Sequence, residues 1–234
     1  MCIRDRIISA LTKQGDLANT LVIFFSDNGG QEPAPFWMEW LVPPTADGFA
    51  NNGPLRGNKG TIYEGGVRVP AAIWWPNVLE SERALDQPFH VADLLPTLGE
   101  AVGFTPLDLD GESQWQSLIS EQQGPRAPFI VANMGSEAMI DWPWKLAKEV
   151  SPPFVPEFLA SDDYYLYRLD RDPGETNDLA VTHPQVFERM ATDLGSRPRR
   201  SVIPLDLGQA RRAFDGITRG PWAESVLGPQ DVSE

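Results

Sequence analysis

The sequence predicts an α/β fold: helices around a sheet over roughly residues 1–124, then a small antiparallel sheet with one covering helix over 125–200. Three observations predict it. A helical period runs directly into the unbroken apolar segment Leu21-Val22-Ile23-Phe24-Phe25. A second apolar run, Val67 to Trp75, follows a glycine-rich block. From about Pro125 the pattern changes to short strand-like runs separated by turns and closes on a helix from Pro184.

Taken in order, Ile7, Ile8, Leu11 and Leu17 fit a helix, with Gly15-Asp16 as its stop. Asn19-Thr20 turns the chain into Leu21–Phe25. A continuous apolar strand after a helix is what a parallel sheet covered on both faces requires. Residues 31–53 form a long irregular insertion rich in proline and aromatics (Pro33, Pro35, Phe36, Trp37, Trp40, Pro43, Pro44). It reads either as a substrate-shaping lid or as a hydrophobic flap, since aromatic rings serve both uses. Val67 to Trp75 reads as another buried strand. Val91 to Val102 reads as a helix, with Asp93, Pro96 and Thr97 near its start and Gly103 as its C-terminal stop. Pro128–Ala132, Trp144–Ala147 and Tyr164–Leu169 are the candidate strands of the small sheet, with Trp142 and Trp144 in its core. Thr182 or His183 can cap the last helix, whose first turn accommodates Pro184. Residues 201–234 give no clear element and read as a tail.

Composition narrows the function. With 19 basic against 33 acidic side chains the formal charge is −14. That argues against a general nucleic-acid binder, which needs a basic face to neutralise phosphates. It leaves room for an anionic substrate, because a bound cation and one lysine can reverse the field inside a pocket. The single cysteine, Cys2, cannot make an internal disulfide. No run approaches the roughly 20 apolar residues of a membrane helix.

The chemistry concentrates in residues 21–68. Ligands of open α/β sheets gather at the carboxyl ends of strands, and there the chain places Ser26-Asp27-Asn28-Gly29-Gly30. Asp27 offers a charged oxygen and Asn28 a neutral one, a pair suited to Ca²⁺ or Mg²⁺. Taken alone, such a sequence is also an ordinary turn. Leu55-Arg56-Gly57-Asn58-Lys59-Gly60 sets Lys59 in a glycine-rich turn, where its ammonium suits a tetrahedral oxyanion. Most lysines are simply solvated. Arg56, Glu64 and Arg68 belong to the same block, and a buried Arg–Glu pair bracing the loop is the preferred reading. His90 and His183 read as structural, and Asp172-Pro173-Gly174-Glu175 as a turn and nothing more.

These blocks resemble the sulfatase family of the alkaline-phosphatase-like superfamily. Ile7 to Gly30 is similar to its helix, turn and strand ending in Asp-Asn-Gly. Pro54 to Pro76 is similar to its Leu-Arg-Gly-x-Lys-Gly and Tyr-Glu-Gly-Gly-x-Arg-Val-Pro run. His90 to Gly103 resembles its Asp-Leu-x-Pro-Thr-Leu helix, and Tyr164 to Leu194 its closing strand, Asp-Pro-x-Glu turn and helix. Asp108 to Leu118 resembles the Asp-Gly-x-Ser segment that ends the main domain. The resemblance implies an alkaline-phosphatase-like sheet covered by helices, of which this chain holds the C-terminal part.

The resemblance also implies roles. Asp27 and Asn28 would be metal ligands, for Ca²⁺ in preference to Mg²⁺, and Lys59 a catalytic residue holding a sulfate oxygen. The implied substrate is a sulfated small molecule or a sulfated polysaccharide. The family's nucleophile is a formylglycine made from the cysteine of a Cys-x-Pro-Ser-Arg motif, and Cys2-Ile3-Arg4-Asp5-Arg6 does not match it. That motif, the first metal-binding aspartates and the catalytic histidines belong to upstream sequence in the family. Met1–Arg6 reads as adapter-derived, which fits a truncated chain whose parent would be periplasmic or secreted. Two alternatives stand beside a sulfatase: a phosphodiesterase or phosphonate monoester hydrolase of the same superfamily, and a non-catalytic sulfate-binding relative. Histidine recurs among the metal ligands of the phosphatase branches, so Asn28 favours the sulfatase.

Overall fold

A computed structural model describes residues 3–31, 51–80, 82–104, 109–120, 124, 126–133, 136–150 and 162–197. Most of the proline- and aromatic-rich insertion and the whole of the 201–234 tail therefore lie outside the described residues. Residues Met1–Leu194 make one compact unit.

Helix α1 (Ile3–Gln14) ends as the glycine predicts. Gly15 takes the left-handed φ of 80°, and the Gly15 and Asp16 N–H groups donate to Thr12 and Leu11 carbonyls. Strand β1 (Val22–Phe25) follows a short 3₁₀ turn, Leu17–Asn19. Its only pairing among the described residues is antiparallel, with β2 (Ala71–Trp74). This corrects the expected parallel pairing and full burial.

The side-chain period of two explains the outcome. Leu21, Ile23 and Ile73 face inward beside Leu94, Leu98 and Trp115, whereas Phe24 and Trp74, on the other face, are 57% and 39% exposed. The Val67–Trp75 run is likewise not one strand: helix α2 (Glu64–Val67) takes its start, and only Ala71–Trp74 is extended.

Helix α3 (Leu94–Ala101) continues a 3₁₀ turn, Val91–Asp93, and stops before Gly103 at φ 75°. His90 begins it with a capping box. Its Nδ1 accepts the Ala92 N–H at 3.2 Å, and Asp93 Oδ2 accepts the His90 N–H at 2.8 Å. Asp93 is wholly buried and also accepts from the Glu112 N–H and from Arg126 Nη2 at 2.7 Å. The Arg126 guanidinium lies 4.0 Å over the Phe129 ring, so a buried carboxylate joins this helix to the sheet that follows. Helix α4 (Trp115–Ile119) packs beside α3.

The second sheet is antiparallel in the order β3 (Phe129–Asn133), β4 (Ser136–Asp141), β5 (Trp144–Val150), β6 (Asp162–Arg168). Helix α5 (Pro184–Ser196) covers it, as predicted. β4 was not foreseen. Both faces of its central strands, β4 and β5, are buried over most of their length. Met139, Leu146 and Leu166 pack under Met190 and Leu194 of α5, and Ala138, Ile140, Ala147 and Tyr167 pack against Ile62 and Tyr63. Each of the buried leucine, isoleucine and methionine side chains contributes about 1.5–3 kcal/mol. Trp144 sits at the rim of the first cluster, but Trp142, in the β4–β5 turn, is 36% exposed and is not core.

Candidate functional site

Three backbone segments meet at one place because glycines let them. The Gly29 N–H donates to Gly66 O at 2.9 Å, and the Gly65 N–H to Arg56 O at 2.6 Å. A Cβ on Gly29 would stand 1.8 Å from Gly65 O, and one on Gly65 would stand 2.1 Å from Gly57 O. Neither approach is open to any other residue. The Asn52 side chain completes the seam: its Oδ1 accepts the Gly30 N–H at 2.7 Å, and its Nδ2 donates to Gly30 O and Gly57 O. The Lys59 N–H donates to Gly30 O at 3.0 Å, tying the lysine turn to the strand-end loop.

The result is an open cleft of about 590 Å³. Asn28 and Lys59, from two separate segments, both line it, together with Ser26, Gln31, Asn51 and Arg68. Asp27 is exposed next to it but is not part of its wall. The Asn28 Nδ2 is spent on Gly29 O at 2.8 Å, which leaves its Oδ1 as an acceptor; Asp27 Oδ1 accepts the Asn28 N–H, which leaves Oδ2. Both remaining atoms are hard oxygen donors, the type that Ca²⁺ takes. They are two against the roughly six to eight oxygens such an ion accepts. Among the described residues no group of three or more His, Cys, Asp or Glu adds to them.

Next to Gly65 of the glycine seam, Glu64 belongs to a buried charge cluster. Lys145 of β5 is fully buried, with Nζ 2.9 Å from Glu64 Oε1 and 2.8 Å from Glu175 Oε1. The Glu175 contact is an ion pair off the line of a hydrogen bond, and its other oxygen accepts the Glu64 N–H at 2.7 Å. Burial pushes the Glu175 carboxyl up from its ordinary value and Glu64 adds to the rise, while Lys145 opposes it. Burial also pushes the Tyr63 phenol up, helped by Glu149.

The expected Arg–Glu brace takes a different form. The buried partner of Glu64 is Lys145, whereas Arg68 stands 3.7 Å off and half exposed. Arg56 lies 3.8 Å over the Tyr63 ring and donates to the Tyr167 hydroxyl at 2.6 Å. Glu175, read as a turn residue and nothing more, is 1% exposed and ion-paired.

Residues 5–104 match the family model described as Sulfatase. A sulfatase of Formosa agariphila is 33% identical over 189 residues, covering 73% of this chain and 30% of that protein. The chain belongs to the sulfatase family. Mouse steryl-sulfatase is 30% identical over 230 residues, covering 85% of this chain and 35% of its own length. The chain thus spans about a third of these curated sulfatases.

Solved structures agree on the fold. A sulfatase from work on glycosaminoglycan metabolism in Bacteroides thetaiotaomicron superposes with a TM-score of 0.65 at 25% identity, covering 82% of this chain and 41% of that one. Ps i-CgsB, also solved in complex with k-i-k-neocarrahexaose, gives 0.68 at 22% identity, covering 94% and 46%. The alkaline-phosphatase-like α/β class with a small antiparallel sheet is the architecture this sulfatase chain shares. No helix among the described residues is long and apolar enough to cross a membrane.

Sequence reasoning passed over three residues of this cleft and its support. Asn52 hides in Asn51-Asn52-Gly53, an ordinary turn signature. Arg68 was assigned to the brace and not to the wall. Lys145 sits in an apolar strand, and a lysine flanked by Trp144, Leu146 and Ala147 was the signal available.

Proposed function

We propose that the protein to which this chain belongs hydrolyses sulfate esters, and that Asn28, Asp27 and Lys59 form this chain's share of the site. The observation that carries the reading is the placement of Asn28 and Lys59 on the wall of one cleft, from segments some thirty residues apart in sequence. The Asn28 and Asp27 oxygens would hold Ca²⁺, which when bound neutralises charge on the sulfate oxygens. The Lys59 ammonium holds a sulfate oxygen and stabilises the charge that grows on the transferred group. Its backbone bond to Gly30 O fixes it relative to the Asn28 loop. The formylglycine nucleophile would come from outside the residues of this chain.

A sulfated saccharide fits the cleft's chemistry, since Asn51, whose Oδ1 accepts the Gly53 N–H, keeps its Nδ2 for a hydroxyl group. Amide-resolved NMR titration of the chain tests the reading. Calcium should shift the Asn28 and Gly29 amides, and sulfate those of Lys59 and Gly60. Lys59→Ala should abolish the sulfate response without lowering the melting temperature. A sulfate response that is unchanged by Lys59→Ala, or that maps away from the cleft, would refute it.

A further inference from the structure

We propose that Arg68 forms a second anion subsite in the cleft, which takes a second sulfate or a carboxylate on a saccharide whose first sulfate sits at Lys59. The proposal rests on the reading of Lys59 given above. Arg68 lines the same cleft as Lys59 and Asn28, so a ligand held at Lys59 has a second cation on the same wall.

The state of the guanidinium carries the argument. Arg68 is anchored by its backbone, whose N–H donates to Glu64 O at 2.8 Å. Its side chain is 49% exposed, and Nη1 stands 3.7 Å from Glu64 Oε2, too far for a hydrogen bond. Among the described residues the guanidinium makes no hydrogen bond. Glu64 is meanwhile satisfied from below, where Lys145 donates to its other oxygen at 2.9 Å. The carboxylate therefore orients Arg68 without consuming its donors. A planar fork of free N–H groups binds an oxyanion through two parallel bonds, which a lysine cannot do. The rival role is charge balance, because Glu64 and Glu175 present two carboxylates to one Lys145. In that case Arg68 would govern stability alone.

Ligand selectivity separates the two. The 234-residue chain is titrated by NMR with glucose 6-sulfate, glucosamine 2-N,6-O-disulfate and glucuronic acid 2-sulfate. The wild-type chain should bind at least one doubly anionic sugar about tenfold more tightly than the monosulfate; which one it prefers tells sulfate from carboxylate. Arg68→Gln should bring that ratio close to one, and Arg68→Lys should keep part of it. Lys59→Ala should weaken all three sugars and preserve the ratio. Equal wild-type affinities, or a ratio untouched by Arg68→Gln while the urea midpoint falls, overturns the subsite. If Lys59→Ala changes no affinity while the ratio still depends on Arg68, the sulfate reading of Lys59 fails alone. Absence of wild-type binding to all three overturns both.

Discussion

Lys145 Nζ lies 2.9 Å from Glu64 Oε1, so a strand of the small sheet grips the helix that carries Gly65 and Gly66 of the seam. The alternation of β5 dictates this contact. Leu146 points under α5, which leaves Lys145 and Ala147 facing the Ile62–Glu64 segment, and both faces are closed to water. A buried ammonium needs partners, and Glu64 and Glu175 provide them. Lys145→Met removes the cation and strands two carboxylates, at a cost of about 3–5 kcal/mol. Urea denaturation checks this. Adding Glu64→Gln and Glu175→Gln to that variant should recover part of the loss, because no uncompensated charge then remains. A loss below about 1 kcal/mol for Lys145→Met would mean the cluster is hydrated.

Glu175 gives the cluster a pH dependence whose direction is defined. Burial raises its carboxyl above the ordinary 4.5, so folding favours its protonated form. Its contribution is complete below the unfolded value and is lost as pH rises through the raised folded value. Glutamine mimics the protonated acid and does not titrate. The destabilisation caused by Glu175→Gln should therefore shrink as pH rises from about 4.5 towards neutrality. Paired urea curves at several pH values read this difference directly, and a gap that widens with pH would contradict it.

The folding of residues 3–30 was legible where local chemistry decides. The stop at Gly15 needs only a left-handed φ, and the strand after it needs only apolar β-formers. Strand direction and burial were not legible, because an unbroken apolar run fits any strand whose partners the run itself does not name. Phe24 and Trp74 illustrate this, being apolar, extended and exposed. The small sheet was read as three strands because Ser136–Asp141 begins with two polar residues and lacks the aromatic signal of its neighbours. In the cleft, the motif residues Asn28 and Lys59 were visible by type. Lys145 and Glu175 acquire meaning only through their contacts to Glu64, about eighty and more than a hundred residues away in sequence respectively.

The glycine seam predicts a sharp contrast between two alanine substitutions. Gly29→Ala would drive a Cβ to 1.8 Å from Gly65 O, a backbone atom that cannot rotate away. Separating the segments should cost about 1–3 kcal/mol or more and weaken sulfate binding along with stability. Gly15→Ala meets nothing within 4 Å and carries only its φ of 80°. It should cost about 1–2 kcal/mol and leave the cleft's NMR response intact. Equal losses for the two, with sulfate binding retained in Gly29→Ala, would show that the segments need not touch.

The chain by itself should not turn over an aryl sulfate. Lys59 can bind and polarise, and Asn28 and Asp27 can contribute to holding a cation, but hydrolysis of a sulfate ester also requires a nucleophile aimed at sulfur. The only cysteine is Cys2, outside a Cys-x-Pro-Ser-Arg context, so maturation to formylglycine has no substrate here. Stabilising charge on the transferred group speeds hydrolysis usefully only when a nucleophile is held in line with sulfur, and Asn28, Asp27 and Lys59 do not supply one. Incubation of the purified chain with 4-nitrocatechol sulfate and calcium should therefore match the buffer blank. Calcium-dependent release of the catechol that disappears in Lys59→Ala would place a complete hydrolytic site within these 234 residues.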